Sequence, residues 1–574
     1  MENAQIADIF DEVADLLELS EADQFRIRSY RSAAQTVRGL PRRMEDMVRS
    51  GERLSDLPHI GKSTAEKIDE ILRTGTCARL KELQKKLPAG LTALMKVPQL
   101  GPRRAKLLYD KLGVRTIEEL KAACEQGRLR EIPSLGAKTE QNILRGLATI
   151  GTSSGRMLLK AAADHVEALG RYLSGNKSIK RWEVAGSFRR RSETVGDLDI
   201  LIEAGDRSAA TEAILKYPGI ETVLSRGPER VTVQLGGALQ VDFRFFEPEA
   251  FGAALLYFTG SKSHNIALRR LVQKRKWKLN EYGLFSGRRR LAGASEEELY
   301  RKLGLEWIPP ELREDRGEID AAAHKAIPDL IELKDICGDL HSHTKATDGA
   351  HSLQEMADAA RARGYEYLAV TDHSKAVSVA KGLDESRLKK HAREIRKLNS
   401  SMKDLWLLAG VEVDILKDGR LDLDEDVLAE LDWVVASVHS HFDMSKTEMT
   451  RRLVRAIESG VVHCIGHASS RLIGRRSPID ADWDEVFAAC RRHGVRLEIN
   501  AQPDRLDLRD NYCQRAKEAG AGFVISTDAH KLSDLEFMPF GIGVARRGWL
   551  EPRDVLNTLP AAELRRVLKA PAGR

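Results

Sequence analysis

Nowhere in its 574 residues does the chain carry an apolar run long enough to span a bilayer, which excludes a helical membrane protein. The first residues have no basic stretch leading into an apolar one, so no secretory signal is expected. Cysteine is sparse. The six residues, at 77, 124, 337, 464, 490 and 513, form no CxxC pair and offer no disulfide framework, which fits a reducing cytoplasm. With 42% hydrophobic and 31% charged residues, a disordered chain is excluded too. The length suggests about three to five domains.

Charge is unevenly spread. Residues 335–574 hold 36 Lys and Arg against 38 Asp and Glu, so a net charge of +6 overall and −2 here leaves +8 in residues 1–334. A polyanionic partner is therefore expected for the N-terminal part. Texture changes along the chain as well. Residues 1–150 read as helical, with apolar residues at 3–4 spacing in Ile6–Leu17 and Ile68–Leu72. Short β-rich runs follow at Trp182–Val184, Leu198–Ile202, Val231–Val233 and Val241–Phe246. From residue 335 apolar runs alternate with helical patterns, as in an α/β barrel.

A weak repeat, apolar-Pro-x-apolar-Gly, occurs at Leu57–Gly61, Val97–Gly101 and Ile132–Gly136, each followed by a helical segment. It resembles helix–hairpin–helix elements. Gly61, Gly101 and Gly136 permit tight turns, and Lys62 with the next backbone N–H groups can hold DNA phosphates without reading sequence.

Two constellations carry chemistry. In the first, Gly186-Ser187 is followed by Asp197 and Asp199, two apart on a β-like run and hence on one face. Asp242, on another β run, completes a three-carboxylate cluster suited to two Mg2+ or Mn2+ ions and in-line displacement at phosphorus. Ser187 offers a hydroxyl, and Arg190 a guanidinium, for a triphosphate. In the second, His341, His343, Asp348, His373, Glu412, His439, His467, Asp528 and His530 lie in separate short strings, most at the end of an apolar run. A barrel gathers residues from successive strand ends at one rim. Nine ligands exceed the needs of one ion, so two or three Mn2+, Zn2+ or Fe2+ ions are expected. Arg471, Arg475 and Arg476 are candidates for DNA phosphates or for a solvated basic loop.

The stretch from Gly186 to Asp242, continued through Leu256–Ser261, Asn265, Arg269 and Asn280–Tyr282, resembles DNA polymerase family X, over roughly the first 315 residues. The resemblance implies that Asp242 helps activate a primer hydroxyl. It implies that Tyr257 and Phe258, with Gly260 beside them, line the sugar pocket, and that Asn265 and Arg269 face the nascent pair and template. Lys67 falls where the family carries a lyase lysine able to form a Schiff base with an abasic sugar; contact with phosphate or water is the alternative.

The later string set resembles the polymerase-and-histidinol-phosphatase (PHP) domain, implying a distorted seven-stranded barrel with a trinuclear phosphoesterase site. The proline common after the ligand His467 is absent, and Lys345-Ala346 occupies a usually polar loop. The expected fold class is multidomain α/β. The expected layout is a helical lyase-like domain (1–85), a helix–hairpin–helix subdomain (86–150), a palm (151–250), a nucleotide-selecting subdomain (251–315), a linker (316–334) and a PHP barrel (335–574). Together these imply a monomeric repair polymerase that fills gapped or primed DNA from deoxynucleoside triphosphates. Its second site would be a 3′→5′ exonuclease, with abasic-site cleavage as a further activity. The alternatives are a purely structural metal-bound barrel, a small-molecule phosphatase fused to a DNA-binding module, and an N-terminal half that only clamps DNA.

Overall fold

The computed structural model describes residues 3–569 except 21–22, 41–43, 87–93, 95–99, 101, 133–135, 137–139, 141–142 and 144–155. The chain forms two compact units, Met1–Arg156 and Met157–Arg574.

The first unit is helical. Its described helices include Asn3–Leu19, Gln24–Gly39, Lys62–Thr74, Ala78–Lys86 and Pro102–Leu112. The 3–4 spacing of Ile6, Phe10, Val13 and Leu17 places them on one helix face, and all four are buried with Val37, Ile68, Ile71 and Leu80. Gly61 is the N-cap residue of helix Lys62–Thr74, and a helix also starts at Pro102. Gly101, Val97–Gln99 and Pro133–Leu135 lie outside the described residues, while Gly136 is exposed.

The second unit opens with a five-stranded mixed sheet, in the order Arg181–Val184, Asp197–Glu203, Leu239–Phe245, Arg230–Leu235, Ile220–Arg226. Asp197–Glu203 and Leu239–Phe245 run parallel, with Asp199 directly opposite Asp242. Register alone therefore brings two of the three expected carboxylates together. Helices Pro248–Thr259 and Lys262–Lys274 and a small antiparallel sheet over Lys278–Ala292 follow. Residues 316–334 carry more structure than an open linker. Helix Glu318–Ala323 forms there, and Ala322 and Leu330 are buried in the core of the preceding subdomain.

Seven parallel strands then run in sequence order: Gly338–Asp339, Tyr367–Val370, Trp406–Asp414, Trp433–Ser437, Cys464–Ile465, Arg496–Asn500 and Phe523–Ser526. Tyr367–Val370, Trp433–Ser437 and Phe523–Ser526 are buried throughout, which is why they read as unbroken apolar runs. The sheet is nearly closed. Ser342 bridges to Ala529, and Asp339 accepts the hydroxyl and backbone N–H of Thr527. Asn557, fully buried, spans the seam: its amide donates to Gly338 O and Ile525 O, each at 2.8 Å, and its Oδ1 accepts from Ile525 N at 2.9 Å. The buried apolar side chains of the five-stranded sheet and of the barrel form one continuous cluster.

Asn557→Leu keeps the branched heavy-atom shape and removes all three seam bonds, leaving buried backbone groups without partners. It is expected to cost about 3 kcal/mol, read as a lowered midpoint in urea unfolding with an unchanged slope; a midpoint within error of wild type would mean that the seam closes without it.

Candidate functional site

The barrel strands deliver their polar residues at one end. His341 and His343 follow the first strand, His373 the second, His439 the fourth and His467 the fifth; Asp528 and His530 follow the last, and Glu412 lies within the third. Asp348 arrives on the loop after the first strand. The nine expected ligands meet in one cluster. Three sets of ligand atoms lie within 4.8 Å of one another: His343, Asp348, His373 and His530; His341, His343 and Asp528; and His373, Glu412 and His439. His467 Nε2 joins them 2.9 Å from Glu412 Oε1. His467 and Asp528 sit at φ 26° and 51°, a region that side chains seldom adopt and that surrounding contacts must hold.

The spacings suit metal ions. His341 Nε2 is buried without a hydrogen-bond partner, yet lies 3.5 Å from Glu412 Oε2 and 3.6 Å from Asp528 Oδ1. His373 Nδ1 is 2.9 Å from Glu412 Oε2, also without hydrogen-bond geometry. Atoms that approach closely without aiming at one another are aimed at a common point. Two ligands each about 2.1 Å from one ion sit about 3.0–3.5 Å apart, close to these values.

Electrostatics follow the same logic. Burial would raise the Glu412 carboxyl, but His373, His439 and His341 hold it well below the usual carboxylate range. Burial would lower His373, His439 and His530. Glu412 and Asp348 instead lift His373 to about 10, Glu412 and Asp414 lift His439 to about 9, and Asp348 and Asp528 lift His530 to about 9. His343 is depressed to about 4 by burial and by the neighbouring His530 and His373.

Sequence reasoning missed the residues that orient this cluster. Glu498, in the sixth strand, accepts from His341 Nδ1 at 2.7 Å and from the backbone N–H of His467, which turns His341 Nε2 toward the cluster. It is the sixth strand's contribution, visible in sequence only as a lone acid between Leu497 and Ile499. Asn500 donates to Glu498 and to Asp528 Oδ2. Asp372 holds Thr344, Thr347 and His391. Arg505, on the turn between Asn500 and Asp507, brings its guanidinium 3.9 Å from Asp528 Oδ2.

At the five-stranded sheet Arg244 lies between two of the carboxylates, donating to Asp199 Oδ1 at 2.9 Å and to Asp242 Oδ2 at 2.8 Å. A guanidinium bridging both marks the place where divalent cations fit. Asp242 also accepts from Thr232 Oγ1 at 2.6 Å, and Asp197 is the exposed member. Gly186 turns at φ 66°, where an added Cβ would come 3.6 Å from Asp199 Oδ2; Ser187 follows it on a short helix, Gly186–Arg189. Tyr257, Asn265 and Arg269 line one small cavity with Asn280. Phe258 packs 5.0 Å from Tyr257 and beneath the Arg244 guanidinium, and Gly260 ends that helix beside Arg190.

Three expected phosphate contacts are placed differently from a free basic loop. Arg190 is engaged by Glu314 Oε1 at 3.0 Å and Thr259 O at 2.6 Å. Arg471 is buried and donates to Glu193 Oε2 at 2.7 Å, so it docks the barrel onto the sheet and is not offered to DNA. Arg476 stacks on Phe442; Arg475 is exposed. In the first unit Lys67 Nζ donates to Ser63 Oγ at 2.7 Å, in an open cleft with Glu66, Glu70, Glu82 and Arg79.

Comparison with known proteins accords with this geometry. Residues 254–314 match the DNA polymerase beta thumb, 1–77 a helix-hairpin-helix domain, 91–149 a SAM-like helix-hairpin-helix tandem and 339–502 the PHP domain. A Bacillus subtilis protein named DNA polymerase/3′-5′ exonuclease PolX is 38% identical over 573 residues, 99% of this chain and 100% of its own length. This chain is a family X DNA polymerase with a PHP domain. The PHP part has other relatives. Probable phosphatases of Photobacterium profundum (32% identical, 34% of this chain and 79% of the relative) and Acetivibrio thermocellus (30%, 33% and 78%) match it. In this family X chain residues 254–314 are thus the thumb. None of the six cysteines forms a disulfide, and among the described residues no helix is long and apolar enough to cross a membrane.

Because His373, His439 and His530 hold protons to about 10, 9 and 9 in the metal-free protein, an ion must displace protons to bind. Proton competition is strongest at low pH, so affinity rises with pH. Between about pH 6 and pH 8 it is expected to tighten by at least about tenfold per unit, with net proton release in calorimetry across buffers of different ionisation enthalpy. A flat profile would show ligands already deprotonated.

Proposed function

We propose that the chain is a gap-filling DNA repair polymerase whose barrel removes nucleotides from DNA 3′ ends. The observation that carries this reading is the coexistence of two differently built sets of acids in one chain: Asp199 beside Asp242 in the five-stranded sheet, with Asp197 two residues along the same strand, and nine His and acidic residues gathered in the barrel. Its relative of equal length carries both activities in its name.

In the polymerase reaction a primer 3′-hydroxyl attacks the α-phosphorus of a deoxynucleoside triphosphate and pyrophosphate leaves. Divalent Mg2+ or Mn2+ at the palm acids would acidify that hydroxyl and neutralise the phosphates. The chain's own part is positional. Thr232 fixes one Asp242 oxygen and leaves the other toward Asp199, now shared with Arg244. Arg244 therefore gives way to the cations. Ser187 and Arg190 hold the triphosphate, Tyr257 and Phe258 bound the sugar, and Asn265 and Arg269 face the base pair. Gly61, Lys62, Gly101 and Gly136 hold backbone phosphates in the helix–hairpin–helix elements, and the enzyme works as a monomer.

At the barrel, Mn2+, Zn2+ or Fe2+ would polarise the phosphodiester and acidify water. Mixed imidazole and carboxylate donors without thiolate suit these ions. Glu412 lies at the centre with an oxygen toward each side, Glu498 sets the His341 tautomer, and Arg505 stands where it holds a diester oxygen. Lys67 is the candidate for the lyase step on an abasic sugar, with phosphate contact as the alternative: its amine donates to Ser63 in an open cleft lined by Glu66, Glu70, Glu82 and Arg79.

A gapped, end-labelled duplex incubated with Mn2+, with and without deoxynucleotides, tests both sites at once. Asp242→Ala is expected to lose extension by at least about a thousandfold while keeping shortening, and His341→Ala the reverse. If His341→Ala leaves 3′ shortening intact, the barrel is structural; turnover of a small phosphomonoester but not of DNA would make it a phosphatase.

A further inference from the structure

After the last barrel strand comes helix Met538–Arg547, whose last residue touches three parts of the molecule. Arg547 Nη2 pairs with Asp510 Oδ2 of the barrel at 2.8 Å, and Nη1 with Glu314 Oε1 at the end of the thumb at 2.9 Å. The same Nη1 donates to the backbone oxygen of palm residue Arg190 at 2.8 Å. Glu314 Oε1 is shared: the Nε of Arg190 donates to it at 3.0 Å. Arg316 closes the array onto Asp510 at 3.1 Å. Upstream on the helix, Gly543 comes so close to the palm that an added Cβ would lie 3.2 Å from Arg191 Cβ.

These groups are withdrawn from water. Side chains of Arg547, Glu314 and Arg190 are 11%, 16% and 15% exposed. Burial would raise the Glu314 carboxyl, yet Arg190, Arg547 and Arg316 hold it down to about 2. One buried carboxylate cannot bond two guanidiniums at such distances unless both are fixed, so removing either loosens the other.

From this geometry we infer that Arg547, a residue of the PHP barrel, is a positioning residue for nucleotidyl transfer: with Glu314 it sets the backbone and guanidinium of Arg190 for the triphosphate. The inference rests on the reading that Arg190 binds the triphosphate. It makes the barrel part of the polymerase's nucleotide site, independently of its own metal chemistry.

The test is steady-state gap filling by the full-length protein, with kcat and the KM for deoxynucleotide measured separately and 3′ shortening followed in the same preparations. Arg547→Met is expected to raise the nucleotide KM about tenfold, as loss of charge-assisted bonds does, with kcat within about twofold and 3′ shortening unchanged. Arg547→Lys should recover part of the loss. Placed on Arg190→Ala, Arg547→Met should add nothing to KM, whereas a merely structural role would add its full effect. If Arg547→Met does not fold, Glu314→Gln reads the same link from the thumb side. An unchanged KM in Arg547→Met, or in Glu314→Gln where that variant replaces it, overturns the inference while Arg190→Ala still raises KM. An unchanged KM in Arg190→Ala itself overturns the triphosphate reading instead.

Discussion

The carboxylate of Glu412 is the point around which the C-terminal half is arranged. It is 1% exposed, and five imidazoles surround it: His373 at 2.9 Å, His467 at 2.9 Å, His439 at 3.3 Å, His341 at 3.5 Å and His343 at 3.6 Å. An isolated buried carboxylate costs several kcal/mol and survives only with opposing charge and full hydrogen bonding. The imidazoles come from four strand ends, His341 and His343 sharing the first, so the parallel barrel has to deliver them in register. The seam at Asn557 and the supports at Glu498 and Asp339 exist to that end. A slip of one strand would take away a ligand and leave the acid uncompensated.

The same need for compensated burial joins the barrel to the palm. Their apolar side chains form one cluster, and around it run ion pairs that cross the boundary: Arg471 and Arg509 with Glu193, Arg546 with Glu311, Arg547 with Glu314. A surface pair contributes about 0–1 kcal/mol. Here Glu314 and Arg547 are mostly buried and share further partners, so each pair constrains geometry more than it adds stability. The two catalytic halves of residues 157–574 are thereby one body, although they read in sequence as separate modules.

Much of this was legible in the chain itself. The nine expected barrel ligands stand out because most follow an apolar run that strand burial demands. Asp197, Asp199 and Asp242 stand out because a two-residue spacing and a second β run define one face. What escaped was whatever depends on a partner far away in sequence. Glu498 is a single acid between Leu497 and Ile499, and only the closed barrel shows that it faces His341, 157 residues earlier. Arg471 looked like a phosphate contact because a basic loop has no sequence mark for docking; its partner Glu193 is 278 residues away. Residues 316–334 looked like a linker because Pro328 and a run of charges hide the apolar positions, Ala322 and Leu330, that pack into the thumb.

The two clusters solve the problem of concentrated negative charge in opposite ways. The palm gathers only oxygen donors, leaves Asp197 exposed, and neutralises the other two acids with a displaceable guanidinium. Oxygen donors near solvent favour hard ions that come and go with a charged substrate. The barrel sets its acids among imidazoles, three of which, His341, His343 and His467, are 1% exposed or less. Nitrogen donors in a closed site favour ions of the Mn2+ to Zn2+ series that stay. The two centres thus differ in donor chemistry, oxygen alone at one and mixed nitrogen and oxygen at the other, so the two sets of residues suit different cations.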